Sequence, residues 1–204
     1  LTSYFFKGNR EKHWNRITPL EIHTLYHSDT IFTATDTMGS INRSIFKRNE
    51  KKYFVTSLTP WANMYSASGL NALCDNEQGD EDWTKGNWQG WSDKDIECVI
   101  DVSQLKSVHS VTIRNLIHTR SWIFPPSKIE IYVSQDGVKY AFGGRFIPKS
   151  PEFEQDAICT SSLNIEPAKY KSIKLICYNF GKLPSWHVSA GDYSWQFIDE
   201  IDIQ

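Results

Sequence analysis

A strict alternation of apolar and polar residues, followed by an Asp-Gly pair, is the feature that most constrains the fold of this chain. Residues 128–134 read KIEIYVS, and after Gln-Asp-Gly at 135–137 the chain continues as VKYAF. A period of two places alternate side chains on opposite faces of a strand, and Asp-Gly supplies the positive φ angles that a tight hairpin turn requires. The stretch therefore predicts a β-hairpin.

Four further segments are rich in β-forming residues, whereas long amphipathic helical runs are absent. Strands of this spacing, with turns between them, favour an all-β fold, and specifically a β-sandwich of the jelly-roll type. The loops at the ends of such a sandwich carry function. The four segments are VHSVTIRNLI (108–117), KYAFGGRF (139–146), YKSIKLICYNF (170–180) and WQFIDEIDI (195–203).

The first fifty residues differ in character from the rest and predict a separate small unit. TIFTATD (30–36) and SIFKR (44–48) are short β-rich stretches around a Met-Gly-Ser turn, and NEKK (49–52) is a charged linker candidate. So few residues cannot bury a large core. We interpret 1–50 as a partial small β-module, or as an extension of the main domain, and 51–204 as the main domain.

The charge and the motif content exclude several classes of protein. A net charge of −2 lacks the basic footprint that nucleic-acid binding needs. No apolar run reaches the roughly eighteen residues of a membrane-spanning helix. No nucleophile-elbow, zinc-protease, dinucleotide-binding or P-loop motif occurs. We therefore expect no nucleic-acid partner, no membrane span and no catalytic centre within this chain.

The cysteines resemble core residues rather than metal ligands. Cys98 and Cys177 alternate with isoleucine and leucine, which predicts that they lie on buried strand faces as small apolar side chains. No Cys-x-x-Cys spacing indicates a structural zinc site. The spacing of the four cysteines leaves a disulfide open.

An acidic loop at 75–82, DNEQGDED, combines turn-forming residues with carboxylates. Calcium takes six to eight oxygen ligands, many of them from loops of this composition, although the spacing is not that of an EF-hand. A calcium loop and a solvated acidic loop both fit the sequence alone.

The aromatic content, 14% with eight Trp, exceeds what a core of this size needs, so some aromatic side chains should contact a ligand. Three loops mix aromatic rings with planar polar groups, which is the combination that stacks on a pyranose and hydrogen-bonds its hydroxyls. The alternative is that these rings fill the ends of the sandwich. The candidates are Trp88 in NWQGW, His118, Arg120 and Trp122 in HTRSW, and Tyr178, Asn179, Trp186 and His187 in the stretch 178–195.

Three ordered segments together resemble a known family. They are NALCDNEQGDEDWTKGNWQGWSDKDIECVIDV (71–102), WIFPPSKIEIYVSQDG (122–137) and LPSWHVSAGDYSWQFIDEIDI (183–203). They resemble the discoidin, or coagulation factor 5/8 type C, module, and more narrowly the family 32 carbohydrate-binding modules of Bacteroidetes glycoside hydrolases. The resemblance covers about residues 51–204 and implies a galactose-binding-domain-like jelly roll.

The resemblance implies a function for the chain as well as a fold. It implies a non-catalytic module that binds glycans bearing galactose or N-acetylhexosamine. HSDTIFTATDTMGSINRS (27–44) resembles the small β-module that follows the catalytic barrel of chitobiase-type β-N-acetylhexosaminidases. The chain would then be the C-terminal part of such a hydrolase, whose catalytic domain would be a further partner. A periplasmic, cell-surface or secreted location follows from the resemblance.

The same resemblance implies a structural calcium ion. ALCDN matches the family phrase Ala-Leu-x-Asp-Gly with Asn76 in place of the glycine, and asparagine tolerates the left-handed backbone region. The implied calcium ligands are Asp75, Asp80 and Glu200.

In the HTRSW loop we expect a division of labour. Ile123 and Phe124 would anchor it, the two following prolines would hold it extended, and His118 and Arg120 would face the sugar. A competing hypothesis is a ligand-free packing domain that stabilises the catalytic domain of the parent enzyme. A third, hydrolysis by this chain itself, requires two carboxylates in a cleft about five to ten ångströms apart, and the sequence offers no such pair.

Overall fold

A computed structural model describes residues 51–204 in full and, within residues 1–50, the backbone of four strands. The chain divides into two compact units, residues 1–50 and 51–204, at the position where the sequence changes character. The two units are described separately.

The four strands of the first unit form one antiparallel sheet in the order β2-β1-β3-β4. Its last two strands overlap the two predicted β-rich stretches, the first almost completely and the second at residues 44–46, with Asp29 opposite Phe46. The predicted Met-Gly-Ser turn and residues 49–50 of the predicted linker lie outside the described residues. The strands are β1 (Tyr4–Gly8), β2 (Asn15–Ile17), β3 (Asp29–Thr35) and β4 (Ile41–Phe46).

The second unit is a sandwich of two antiparallel sheets, so the predicted fold class is confirmed. One sheet has the order β10-β9-β12-β7-β5 and the other the order β11-β8-β13-β6. The strands are β5 (Phe54–Ser57), β6 (Gln89–Ser92), β7 (Ile96–Asp101), β8 (Val108–His118), β9 (Lys128–Ser134), β10 (Ala141–Phe146), β11 (Asp156–Ala168), β12 (Ser172–Tyr178) and β13 (Trp195–Ile203).

Helical structure in the described part of the chain is limited to four short 3₁₀ turns. No helix there has the length and apolar character needed to cross a membrane. The turns are Asn63–Tyr65, Gly69–Asn71, Trp83–Lys85 and Thr119–Ser121.

The core lies between the two sheets and follows from the period-two patterns. Along β7 the buried side chains are Ile96, Cys98 and Ile100, and β12, its neighbour in the same sheet, buries Leu175 and Cys177. The predicted burial of both cysteines is confirmed, and burial raises the pKa of Cys98 to about 12. All four cysteines are free thiols.

The predicted hairpin joins β9 and β10. Gly137 takes a φ of +77°. The Asp136 carboxylate accepts hydrogen bonds from the backbone N–H groups of Val138 and Lys139, both at 2.8 Å. The Asp-Gly pair thus provides both the conformation and the hydrogen bonds that reverse the chain.

Backbone hydrogen bonds join three loops at the end of the sandwich opposite this hairpin. The loop after β8 begins with a reciprocal pair of bonds between His118 and Ile123, at 3.0 and 3.1 Å. Its Trp122 carbonyl accepts from the N–H of Trp195, at the start of β13, at 2.8 Å. The Thr119 N–H donates to the Gln155 carbonyl in the loop before β11 at 3.1 Å. This end carries most of the residues predicted to bind a ligand.

Candidate functional site

The 3₁₀ turn Thr119–Ser121 ends in Trp122, which adopts a left-handed conformation with φ +67°. An aromatic residue with positive φ is strained, and such strain persists only where the surroundings hold it. Ile123 and Phe124, each 1% exposed, fix the chain immediately after the turn. The predicted anchoring role of these two residues is confirmed. The Trp122 side chain remains 36% exposed.

Thr119 is the residue that ties the three loops into one surface. Its hydroxyl accepts from the Gln155 N–H at 2.9 Å, and its carbonyl lies 2.8 Å from His187 Nε2. His187 Nδ1 accepts from the Ser189 N–H at 3.0 Å, so Nε2 carries the proton and donates to Thr119. Since Thr119 is fully buried, this network rigidifies the turn that presents Trp122.

Two side chains with N–H groups, Arg120 and His118, lie along the exposed side of this turn. Arg120 Nε is 3.1 Å from Glu154 Oε2, and the two side chains are 65% and 63% exposed. His118 Nε2 is 3.8 Å from Asp156 Oδ1. An ion pair as exposed as that between Arg120 and Glu154 contributes about 0–1 kcal/mol. Arg120 can therefore exchange Glu154 for a ligand hydroxyl at little cost.

Trp186 adds a second aromatic ring to the same end. Its ring centroid lies 6.1 Å from that of the buried Phe124 and 5.8 Å from that of His187. Trp186 is only partly buried. The structure thus brings His118, Arg120, Trp122 and Trp186 to one group of loops.

Trp88 requires a correction, because the residue is 1% exposed and presents no face to a ligand. Its indole Nε1 donates to the Asp80 carbonyl at 2.9 Å, and the Arg114 guanidinium lies 5.1 Å from its ring. The close approach depends on Gly79, where a Cβ atom would lie 2.3 Å from Trp88 Nε1. Trp88 belongs to a second core cluster with Leu116, Ile123 and Phe197.

His187 also requires a correction. It is 5% exposed and both ring nitrogens have backbone partners within the loops. It holds the turn of Trp122 in place instead of facing a ligand.

Tyr178 and Asn179 are partly buried and make internal contacts, and their ligand role stays a prediction. The Tyr178 hydroxyl donates to Glu130 Oε2 at 2.9 Å, and Lys128 Nζ covers the ring at 3.8 Å. Asn179 Oδ1 accepts from the Gly181 N–H at 2.7 Å and from the Ser194 hydroxyl at 2.9 Å. These bonds shape the start of the loop 179–194.

No local pattern in the sequence indicates that Glu154 and Asp156 belong to this surface. They lie in PEFEQD, which contains one Phe but none of the Trp, His, Arg or Asn residues that singled out the other loops. Only the pairing of β11 with β8, with Asp156 opposite His118, brings them to the turn.

The predicted calcium ligands do not converge. Asp80 is exposed and pairs with Lys85 at 2.5 Å. Asp75 accepts hydrogen bonds from the Ser68 hydroxyl and, at 2.8 Å, from the Glu77 N–H. Within the described part of the chain no three His, Cys, Asp or Glu side chains are placed to hold a metal ion. Asn76 does adopt the left-handed conformation predicted for it, with φ +65°.

Glu200 has a positively charged partner of its own. Lys51 Nζ lies 2.5 Å from Glu200 Oε1 and 2.6 Å from Asp202 Oδ1. Burial raises the pKa of Glu200 to about 7, and the hydrogen bond from Lys51 opposes that rise. The lysine ammonium occupies the position where a cation would bind. Asp75, Asp80 and Glu200, in the arrangement described, therefore do not fit a calcium ion. Calcium binding stays a prediction.

The fold and this surface together define a β-sandwich module that presents aromatic and cationic side chains from a rigid loop turn. No family model matches the chain. No curated protein matches it in sequence.

Several solved structures match about three quarters of the chain, and family 32 carbohydrate-binding modules are among them. One is a CBM32 module from Clostridium perfringens in complex with GalNAc-β-1,3-galactose, 12% identical, with a TM-score of 0.47 over 74% of this chain and 94% of that one. Another is the C-terminal domain of a chitobiase from Bacteroides fragilis, 19% identical, with a TM-score of 0.43 over 77% and 95%. A third is the family 32 module of C. perfringens NanJ in complex with galactose, 12% identical, with a TM-score of 0.40 over 74% and 93%. At this level of similarity the strand order of the chain itself carries the assignment of the fold.

Proposed function

We propose that this chain is a non-catalytic carbohydrate-binding module whose site is the surface formed by His118, Arg120, Trp122 and Trp186. The observation that carries the proposal is the partly exposed Trp122 ring on a rigid turn, next to an Arg120 guanidinium that only an exposed carboxylate engages. An aromatic face stacks on the C–H face of a pyranose, and planar donors then select among its hydroxyls. The geometry supplies both elements within one turn.

We propose glycans bearing galactose or N-acetylhexosamine as the ligand class. The support is the sequence resemblance to family 32 modules. In keeping with it, two of the matching structures were solved with GalNAc-β-1,3-galactose and with galactose. The resemblance of residues 27–44 to a chitobiase-type module supports a parent glycoside hydrolase of the hexosaminidase type, exported to the periplasm, the cell surface or the medium.

A single open surface of this kind should bind weakly. One exposed ring and one or two hydrogen-bonding side chains correspond to dissociation constants in roughly the millimolar to high micromolar range. A weak module still serves a linked catalyst, because it raises the local concentration of the catalyst at its substrate.

The test is a titration of the chain with galactose, N-acetylgalactosamine and N-acetylglucosamine, followed by tryptophan fluorescence and by NMR. We expect saturable shifts at Trp122 and Arg120 that disappear in Arg120→Ala and in Trp122→Ala. Lys139→Ala is the matched control, because Lys139 is exposed and lies in the hairpin at the opposite end of β9. Equal sugar responses in Arg120→Ala and Lys139→Ala would remove this site from consideration.

A ligand-free packing domain remains the second candidate function. Val188 is 94% exposed and Tyr193 is 48% exposed, and both lie in the loop after β12, beside Trp186. A neighbouring domain would cover such apolar side chains. The absence of any sugar response at high millimolar concentration, together with a fall in the parent enzyme's melting temperature in Val188→Asp, would favour this candidate.

A further inference from the structure

A cavity of about 470 Å³ lies on the inner face of β8 and β11, beneath the segment that precedes β11. Its volume falls in the range of small-molecule sites, roughly 300–1,000 Å³. Most of its walls are apolar. They include Ile117, Pro125, Phe146, Pro151 and Phe153.

One polar side chain in the wall has no partner. Asn115 is 2% exposed, and neither its amide oxygen nor its amide nitrogen has a hydrogen-bond partner among the described residues. Buried amides are nearly always hydrogen-bonded, because an unsatisfied one is destabilising. A ligand in the cavity would supply the missing bonds.

The backbone fixes the direction of this amide. Asn115 lies on β8, an inner strand, opposite Cys159 of β11 on one side and Ile198 of β13 on the other. Strand alternation places it on the same face as the core residues Val111 and Ile113. The Asn115 side chain therefore projects from the inner face of the sheet, where Asn115 is one of the residues that line the cavity.

The chemistry of the walls defines the ligand. An asparagine amide offers one acceptor and one donor, and its complement is a group with a donor and an acceptor side by side. The charged lining residues Lys149 and Glu152 are 87% and 73% exposed and lie 3.8 Å from each other. A charged ligand group would find no buried counter-charge in these walls. We propose that the cavity binds a small neutral molecule in which an apolar body carries a single carboxamide group.

The cavity is separate from the proposed sugar surface. The two share one segment, because Gln155 lines the cavity whereas the neighbouring Glu154 pairs with Arg120. A sugar would leave most of its hydroxyls unpaired against Pro125, Phe146 and Phe153, which is costly.

Benzamide is the probe, titrated into the full chain and followed by NMR. We expect saturable shifts at Asn115 and Phe153, with affinity in roughly the millimolar range for so small a ligand. Asn115→Leu preserves the size of the side chain and should weaken benzamide binding about tenfold or more, since the pair of hydrogen bonds is lost.

Acetophenone, which lacks the N–H donors, should bind wild type more weakly than benzamide does. Arg120→Ala should bind benzamide normally, which separates this inference from the proposed sugar binding.

Cys159 gives a readout that needs no variant, because it lines the cavity whereas Cys74 does not. Benzamide should slow the alkylation of Cys159 by N-ethylmaleimide, measured by mass spectrometry of the cysteine peptides, and leave that of Cys74 unchanged. The proposal is overturned if benzamide at its solubility limit neither shifts cavity resonances nor protects Cys159. Equal affinity for wild type and a folded Asn115→Leu would overturn it as well.

Discussion

Gly79 is the residue whose role the structure defines most sharply. An added Cβ would lie 2.3 Å from Trp88 Nε1, which the surrounding core holds. We expect Gly79→Ala to lower the free energy of unfolding by about 1–3 kcal/mol, because the indole must move away from its Asp80 partner. Urea unfolding measures the change. Gly144→Ala is the control, since its nearest contact would lie at 3.8 Å, and equal losses in the two variants would contradict the argument.

The ionisation of Glu130 makes the free energy of unfolding depend on pH. It is 3% exposed and accepts from the Tyr178 and Tyr132 hydroxyls at 2.9 and 3.0 Å. The hydrogen bond from Tyr178, assisted by Lys128 and Arg145, lowers the pKa of Glu130 to about 2.

A pKa lower in the folded than in the unfolded state stabilises the fold above the unfolded value, near 4.5, and this stabilisation is lost as the pH falls towards 2. The difference in unfolding free energy between wild type and Glu130→Gln should be largest above pH 4.5 and should shrink towards pH 2. Urea unfolding at several pH values tests this. Tyr178→Phe, which removes one donor, should give a smaller difference of the same sign, and a difference independent of pH would refute the assignment.

Burial was predictable residue by residue, but partners across loops were not. Alternation alone predicted that Cys98 and Cys177 are buried. The pairing of Thr119 with His187 and of Arg120 with Glu154 depends on which loops meet, and no local pattern records that. For the same reason His187, whose residue type suits a sugar, is a structural residue here.

At the scale of elements, the turn that ends in Trp122 holds this residue in a strained backbone conformation and leaves its ring partly exposed. Trp122→Ala and Trp122→Gly both remove the ring and should both abolish the sugar response. Glycine takes φ +67° without a Cβ penalty. The glycine variant should therefore unfold with a free energy about 1 kcal/mol higher than that of the alanine variant. Equal stabilities in urea would mean that the turn relaxes once the ring is gone.

Two of the strands that the sequence did not predict, β11 and β6, were missed for different physical reasons. β11 (Asp156–Ala168) places the polar Ser161 on its buried face, so its apolar alternation is confined to Leu163 and Ile165. β6 (Gln89–Ser92) was interpreted as part of a glycine-rich turn. Gly90 instead allows close packing, because a Cβ there would lie 2.6 Å from the Phe197 ring. Glycine within a strand often marks a site where another group approaches the backbone closely.

At the scale of the whole second unit, the ion pairs of Lys51 with Glu200 and Asp202 connect the start of the unit to its last strand. The pair with Glu200 joins the first described residue of the unit to the last strand, across 149 positions of sequence. Lys51 is 10% and Glu200 2% exposed, so loss of the ammonium leaves a buried carboxylate without its counter-charge. We expect Lys51→Met to lower the free energy of unfolding by about 1–3 kcal/mol.

The same pair makes a prediction about calcium. While Lys51 holds Glu200 and Asp202, the melting temperature of wild type should be the same in calcium as in EDTA. In Lys51→Met the freed carboxylates can accept a hard cation, so calcium should raise the melting temperature of this variant. Lys85→Met is the matched control, because it frees only the exposed Asp80 and should not respond to calcium. A wild-type melting temperature that falls in EDTA would show instead that a calcium ion, and not Lys51, neutralises the carboxylates of Glu200 and Asp202.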